Sequence, residues 1–264
     1  MEPHQRRDAA ACPAALTTDA GATIVVDGDV VAKTHRPGTD PQALRQRLRV
    51  AARSDCLLSP LNPEPEPVGE RWLTRWPRVE VVATDPEAVP WAEAGRLLAR
   101  LHREPTGDLV LPHGGPDRLA RALARLDDGP DAEMIRLAAA GLPAADAPDR
   151  PITLVHGDFH LGQLGWCRSQ LGRHLGAWVL IDVDDLGVGD PAADLARPAG
   201  FWAAGMLPNA DWHRFVDGYR EERGPALPSG DPWPVLEPFA RAAVVGAAAN
   251  RPDELLLAAC ARMR

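Results

Sequence analysis

Two short stretches of this chain, HGDFHLGQ at His156 to Gln163 and IDVDD at Ile181 to Asp185, carry carboxylates, imidazoles and an amide at spacings suited to phosphoryl transfer. That reaction asks for little covalent chemistry from a protein. It needs a carboxylate beside the attacking hydroxyl and oxygen ligands for Mg2+. Asp158 is a candidate for the first, Gln163 five residues later offers a neutral oxygen, and Asp182 offers a charged one. The three acids of DVDD cannot all bind one ion that also takes phosphate oxygens. Alternation along an extended segment puts Asp182 and Asp184 on one face. Asp182 is therefore expected as a ligand, Asp184 as a second candidate, and Asp185 as a solvent-facing residue. His156 is expected to orient its loop through hydrogen bonds.

These residues must be held by strand ends. Ile152 to Val155 precedes the first stretch and Trp178 to Ile181 leads into the second; both are short apolar runs bounded by turn formers. Upstream, Ala22 to Val26 and Val30 to Thr34 flank Asp27, Gly28 and Asp29, a hairpin pattern. Lys33 sits at the end of the second run. Taken alone it is a solvated lysine closing an edge strand. Followed by a helix and a distant carboxylate pair, it matches the layout in which a lysine holds nucleotide phosphates. That helix is expected over Asp40 to Arg53, with Asp40 as cap and Pro41 at its first position.

Prolines at 60, 63, 65 and 67 exclude a helix there, and Arg71 to Trp76 reads as a further strand. A domain boundary is expected near Pro77, dividing the chain into residues 1–77 and 78–264. Beyond it the pattern turns helical: Trp91 to His102, Leu119 to Leu126, Ala132 to Leu142, Phe215 to Glu222, Leu236 to Ala249 and Asp253 to Arg262. Asp190-Pro191 reads as a cap opening a helix through Arg197, with Asp194 supporting the loop from within.

The 264 residues, 45% of them hydrophobic, are enough to build a substantial core. Four scattered cysteines without a CxxC pair suggest neither a zinc ribbon nor a disulfide framework, which fits a reducing cytoplasm. The N-terminal residues lack the apolar stretch of a signal peptide, and no apolar run is long enough to span a membrane. A net charge of -8 argues against a nucleic-acid partner and suits a cationic small molecule. Asp211, Asp217, Glu221, Glu222 and Glu237 in the tail are available to meet such a molecule, or form a solvated helix face.

The chain resembles the aminoglycoside phosphotransferase and choline kinase superfamily over Val30 to about Phe201. The resemblance lies in LVHGDFHLGQ at Leu154 to Gln163, LIDVDDLGVGDPAADLA at Leu180 to Ala196 and the weaker LLARLHREP at Leu97 to Pro105. It implies an α+β, two-lobed, protein-kinase-like fold, with a small β-rich N-terminal lobe and a larger helical lobe. It further implies ATP or GTP as phosphate donor, Mg2+ as cofactor and a small-molecule hydroxyl as acceptor. Asp158 would be the catalytic base, Gln163 and Asp182 magnesium ligands, and Lys33 the phosphate-holding residue. Oligomeric state is left open. Two departures stand out. Gln163 replaces the more usual asparagine, as in the maltokinase-like HLGQ form. The helix after Lys33 has no glutamate to pair with it, Gln46 being the nearest polar stand-in. These departures motivate one alternative, a binding-only pseudokinase. A second is a metal-dependent hydrolase using His156, Asp158, His160 and Asp182.

Overall fold

The structure, a computed structural model, describes residues 15–18, 21–82, 89–107, 109–143, 149–171 and 173–263. The charged N-terminus and Cys12 lie outside the described residues. Residues 15–77 build a five-stranded antiparallel sheet in the order β1-β2-β3-β5-β4, with β1 Ala15–Thr17, β2 Thr23–Asp27, β3 Val30–Thr34, β4 Glu66–Val68 and β5 Arg71–Pro77. The β2–β3 hairpin turns at Gly28, whose φ of 56° suits a residue without a Cβ. Because β3 is paired on both sides, Lys33 stands on a central strand and is buried. The edge-strand alternative for this lysine is thereby corrected.

Helix α1, Pro41–Arg53, starts as its sequence dictates: Pro41 occupies the first turn and the Asp40 carboxylate accepts from Gln42 N. Its buried residues include Leu44, Leu48 and Ala51, at the spacing of one helical face. The chain then leaves the sheet through β6, Val79–Val81, which pairs with β8, Leu164–Cys167, itself paired with β9, Trp178–Leu180. A second small ribbon joins β7, Thr153–Val155, to β10, Gly187–Gly189.

The remaining described helices are α2 Trp91–Leu101, α3 Gly115–Ala124, α4 Pro130–Ala140, α5 Ala192–Ala203, α6 Asn209–Glu221, α7 Trp233–Asn250 and α8 Glu254–Arg262. α2 lies against α6 at close range: a Cβ on Gly95 would overlap the Phe215 carbonyl, and one on Gly218 the Ala92 carbonyl. α6 begins at Asn209 rather than near Phe215, because Trp212 extends the buried face of Phe215, Val216 and Tyr219 by a turn. α5 runs past Arg197 to Ala203 although Pro198 lies inside it. An internal proline costs about 3 kcal/mol, and packing of Leu195, Ala199 and Gly200 offsets it, Gly200 facing the Ala240 carbonyl of α7. One hydrophobic core links α1, α2, β9, α5 and α6 through Leu44, Leu48, Leu98, Leu180, Leu195 and Phe215, and a smaller cluster joins α4, α7 and α8. Cys56, Cys167 and Cys260 are free and buried. Among the described residues no helix is long and apolar enough to cross a membrane.

Candidate active site

The loop after β7 is shaped from beneath by a buried carboxylate. Asp194, on the first turn of α5, accepts from His156 N at 2.6 Å, Gly157 N at 2.8 Å and His102 Nε2 at 3.0 Å. The proton positions follow from the next link. Ala226 N donates to Tyr219 Oη at 3.1 Å, so the hydroxyl proton goes to His102 Nδ1 at 2.7 Å and Nε2 carries the proton given to Asp194. Burial opposes the charge on Asp194, but the His102 bond and nearby donors outweigh it, holding the carboxyl below its ordinary range. Gly157, at φ 82°, passes so close to the Asp185 carbonyl that a Cβ would overlap it. His156 donates from Nε2 to Ile181 O at 2.8 Å, and Ile181 N donates to Gln163 O at 2.9 Å. The two sequence stretches are thus tied directly to each other, with His156 in the orienting role expected of it.

Asp158 emerges half-buried from this loop, and its Oδ1 accepts no hydrogen bond. Two guanidinium groups face that atom: Arg118 Nη2 of α3 at 3.2 Å and Arg197 Nη2 of α5 at 3.7 Å. Arg118 also donates to Gly157 O at 2.9 Å and pairs with Asp185. Burial raises the Asp158 pKa above the ordinary carboxylate range, with Arg118 and Arg197 pulling against it. Asp185 is only 14% exposed and ion-paired, which corrects its expected solvent-facing position. His160 Nδ1 accepts from Gly162 N at 3.0 Å, capping the short 3-10 turn Leu161–Gln163. Burial and the neighbouring Arg197 lower its pKa to about 3.

Across from Asp158, Lys33 Nζ donates to Asp182 Oδ1 at 2.6 Å and lies 2.9 Å from Asp184 Oδ2. His35 Nδ1 approaches Asp184 Oδ1 at 3.1 Å, while its Nε2 meets Thr74 Oγ1 at 2.9 Å. Burial works against the Lys33 charge, but the two carboxylates outweigh it and raise the pKa; the reciprocal pull of Lys33 and His35 overcomes burial and holds Asp184 low. Asp182 and Asp184 reach this shared position through a turn rather than through strand alternation, since β9 ends at Leu180. Asp182 has φ 63°, a left-handed conformation that aspartate tolerates better than most residues. The expected amide stand-in for the missing glutamate plays no such part: Gln46 Oε1 is buried without a partner, and the ion-pair partners of Lys33 among the described residues are Asp182 and Asp184.

A cleft of about 1270 Å3 brings together Asp158, His160, Asp182, Asp184 and Asp185 with Arg36, Arg118, Arg121, Arg125 and Arg197. The tail carboxylates do not line it. Asp211 pairs with Arg214, Glu221 with Arg96, Glu222 approaches Arg100 and Glu237 pairs with Arg241. The set required for a metal hydrolase does not assemble either. His156 Nε2 is engaged by Ile181 O and His160 Nδ1 by Gly162 N, and among the described residues no group of three His, Cys, Asp or Glu converges. Sequence reasoning missed His35, His102, Arg118 and Arg197. The arginines of α3 did carry one signal, their i, i+3, i+7 spacing at 118, 121 and 125.

A β-rich first part, a mainly helical second part and a cleft that holds an arginine-flanked aspartate together with a lysine-bound acidic pair define the class of a protein-kinase-like phosphotransferase. Residues 22–233 match the model of the phosphotransferase enzyme family, and the chain belongs to that family. A search of curated proteins found no match. Among solved structures the chain is similar to a microcompartment-associated aminopropanol kinase, at 19% identity and TM-score 0.62, covering 97% of this chain and 90% of that one. It is also similar to a thermostable mutant of aminoglycoside phosphotransferase APH(4)-Ia in ternary complex with AMP-PNP and hygromycin B, at 16% identity and TM-score 0.61, covering 96% and 93%. A choline/ethanolamine kinase family protein from Mesorhizobium loti follows, at 16% identity and TM-score 0.52, covering 95% and 92%. At these identities the likeness establishes the fold, which is the α+β, protein-kinase-like one expected.

Proposed function

We propose that the protein transfers the terminal phosphoryl group of ATP, or of GTP, to a hydroxyl of a small molecule, with Asp158 as the base. The observation that carries this reading is that Asp158, whose Oδ1 accepts no hydrogen bond, lines the same cleft as the lysine-bound pair Asp182 and Asp184. Asp158 would accept the hydroxyl proton as the new bond forms. Lys33 would hold nucleotide phosphates, moving from the two carboxylates to the phosphate oxygens. The AMP-PNP complex of one structural relative supports a nucleotide at this fold's cleft.

The residues present fit Mg2+. Asp182 and Asp184 already bind a positive group, Asp184 Oδ1 accepts no hydrogen bond, and oxygen donors suit a hard cation. Asp182, Asp184 and Gln163 would hold the ion, which when bound supplies positive charge to phosphate oxygens. Gln163 is buried and tied through its backbone to Ile181, next to Asp182. Residues 1–77 would form the nucleotide-binding lobe and 78–264 the catalytic and acceptor lobe.

The test is phosphate transfer from MgATP across a panel of hydroxyl compounds. Asp158→Asn should lose transfer by at least about a thousandfold and retain MgATP binding, since the base touches the acceptor alone. Wild-type turnover in that variant would remove Asp158 from the role. A pseudokinase would bind MgATP and transfer nothing to any acceptor.

A further inference from the structure

The cleft beside Asp158 is lined with five guanidinium groups, not all of which the fold engages. Arg118, Arg121 and Arg125 follow one face of α3 and its end, and with Arg36 and Arg197 they line the same cavity as Asp158. Arg118 is engaged by Asp185, Gly157 and Asp158. Arg125 reaches Asn250 Oδ1 at 3.0 Å. By contrast, half-buried Arg36 and Arg121 make no side-chain hydrogen bond or ion pair among the described residues, and Arg197 has only Asp158 at 3.7 Å. Burial and the like charge of Arg36 hold Arg121 below its ordinary range, against the pull of Asp185 and Asp117, neither of which bonds to it. Half-buried guanidinium groups in that situation are unfavourable unless an anion joins them.

The arginines share one cavity with Asp158, Asp182 and Asp184, and those of α3 extend along it from Asp158. A helix rises about 1.5 Å per residue, so Arg121 lies roughly 4.5 Å and Arg125 roughly 10 Å along the helix axis from Arg118, which itself meets Asp158. A single transferring phosphoryl group does not span that length. The exposed acids of the cavity, Asp127, Asp128 and Asp131, stand at its outer rim, at the start of α4. Of the acids first placed to meet a cation, Asp211, Glu221, Glu222 and Glu237 are paired with arginines elsewhere, and Asp217 does not line the cavity.

We propose that the acceptor carries an acid group, phosphate or carboxylate, bound by Arg36, Arg121 and Arg197 while its hydroxyl faces Asp158. The proposal rests on the phosphotransferase reading for the role of that ligand, though not for its binding. A bidentate guanidinium fork suits either anion.

The experiment uses the full-length protein, wild type and the Arg36→Ala/Arg121→Ala double variant, with matched probes: glycerol, glycerate, glycerol 3-phosphate and 3-amino-1,2-propanediol, then glucose, glucuronate, glucose 6-phosphate and glucosamine. ADP formation from MgATP and calorimetric binding without nucleotide are both read. The acidic members of each set should bind and be phosphorylated at least tenfold better than the neutral or aminated ones. The double variant should raise their KM or Kd at least tenfold while changing the KM for MgATP less than twofold. Phosphate over carboxylate, or the reverse, identifies which acid is recognised. Preference for the aminated members overturns the proposal, as does anion binding that the double variant leaves unchanged. So does an effect confined to MgATP, which would assign the arginines to the nucleotide. If acidic probes bind through the arginines but MgATP neither binds nor is turned over, the phosphotransferase reading fails and the anion site stands. If MgATP binds and no acidic probe does, the reverse holds.

Discussion

Asp158 combines two opposed influences whose balance can be measured. Burial raises its pKa, and Arg118 and Arg197 lower it. A base must be ionised to accept a proton, so kcat/KM should fall as pH drops through that raised pKa, placing the acid limb above the ordinary aspartate value of about 4. Arg197→Met removes one lowering influence and should move the limb to higher pH; a limb that moves down would show that the pair is not coupled as described. His160 offers a stability prediction with a definite sign. Its folded pKa is about 3, held down by burial and by nearby Arg197, and a free histidine titrates near 6.5. Between those values the unfolded chain binds a proton the folded one does not. The stability His160 allows is therefore complete above about pH 6.5 and is lost as pH falls toward 3. Urea unfolding at neutral and at acidic pH should show a smaller acid loss for His160→Gln than for wild type.

Two element junctions set the site. The contact of α2 with α6 depends on Gly95 and Gly218, where a Cβ would meet opposing backbone carbonyls. Either changed to alanine should destabilise by about 1 to 3 kcal/mol, the range for overpacking, and push apart the helices carrying His102 and Tyr219. The second junction is the first turn of α5 against the loop after β7. Asp194→Ala leaves two buried amides and His102 without their acceptor. A loss of about 3 to 5 kcal/mol is expected, as for breaking a buried hydrogen-bonded pair. Chemical denaturation reads both variants, and Asp194→Ala should in addition lose turnover in whatever fraction remains folded, since Asp158 follows Gly157 directly.

The whole molecule holds its acidic pair closed by Lys33 inside an open cleft. MgATP that drew Lys33 onto phosphate should stabilise the fold as any ligand of the native state does. At a hundred times its Kd the gain is about 2.7 kcal/mol, or roughly 5 to 10 °C in Tm for a chain of this size. Asp182→Ala should lose that shift; an unchanged shift would take Asp182 out of the nucleotide site. The net charge of -8 does not predict the cleft's lining, where arginines from just after β3, from α3 and its end, and from α5 gather beside the aspartates.

What was legible in the chain itself follows from locality. A loop at a strand end, a hairpin at Asp27-Gly28 and a capped helix at Asp40-Pro41 are each specified within a few residues, so Asp158, Lys33 and the DVDD cluster could be singled out by type and spacing. Periodicity likewise revealed most helices, and failed where long-range packing decides: the first turns of α6, and α5 beyond Pro198. The partners could not be read that way. Lys33 meets Asp182, 149 residues on, and Asp184 beyond it, while Arg118 meets Asp158 and, 67 residues on, Asp185. Charge-to-charge contact depends on through-space distance, which no local pattern encodes. The sequence by itself determined which groups could act; only the tertiary structure decided that Asp185 faces inward, that Asp211, Glu221, Glu222 and Glu237 are taken up by arginines and that Arg118 and Arg197 flank Asp158.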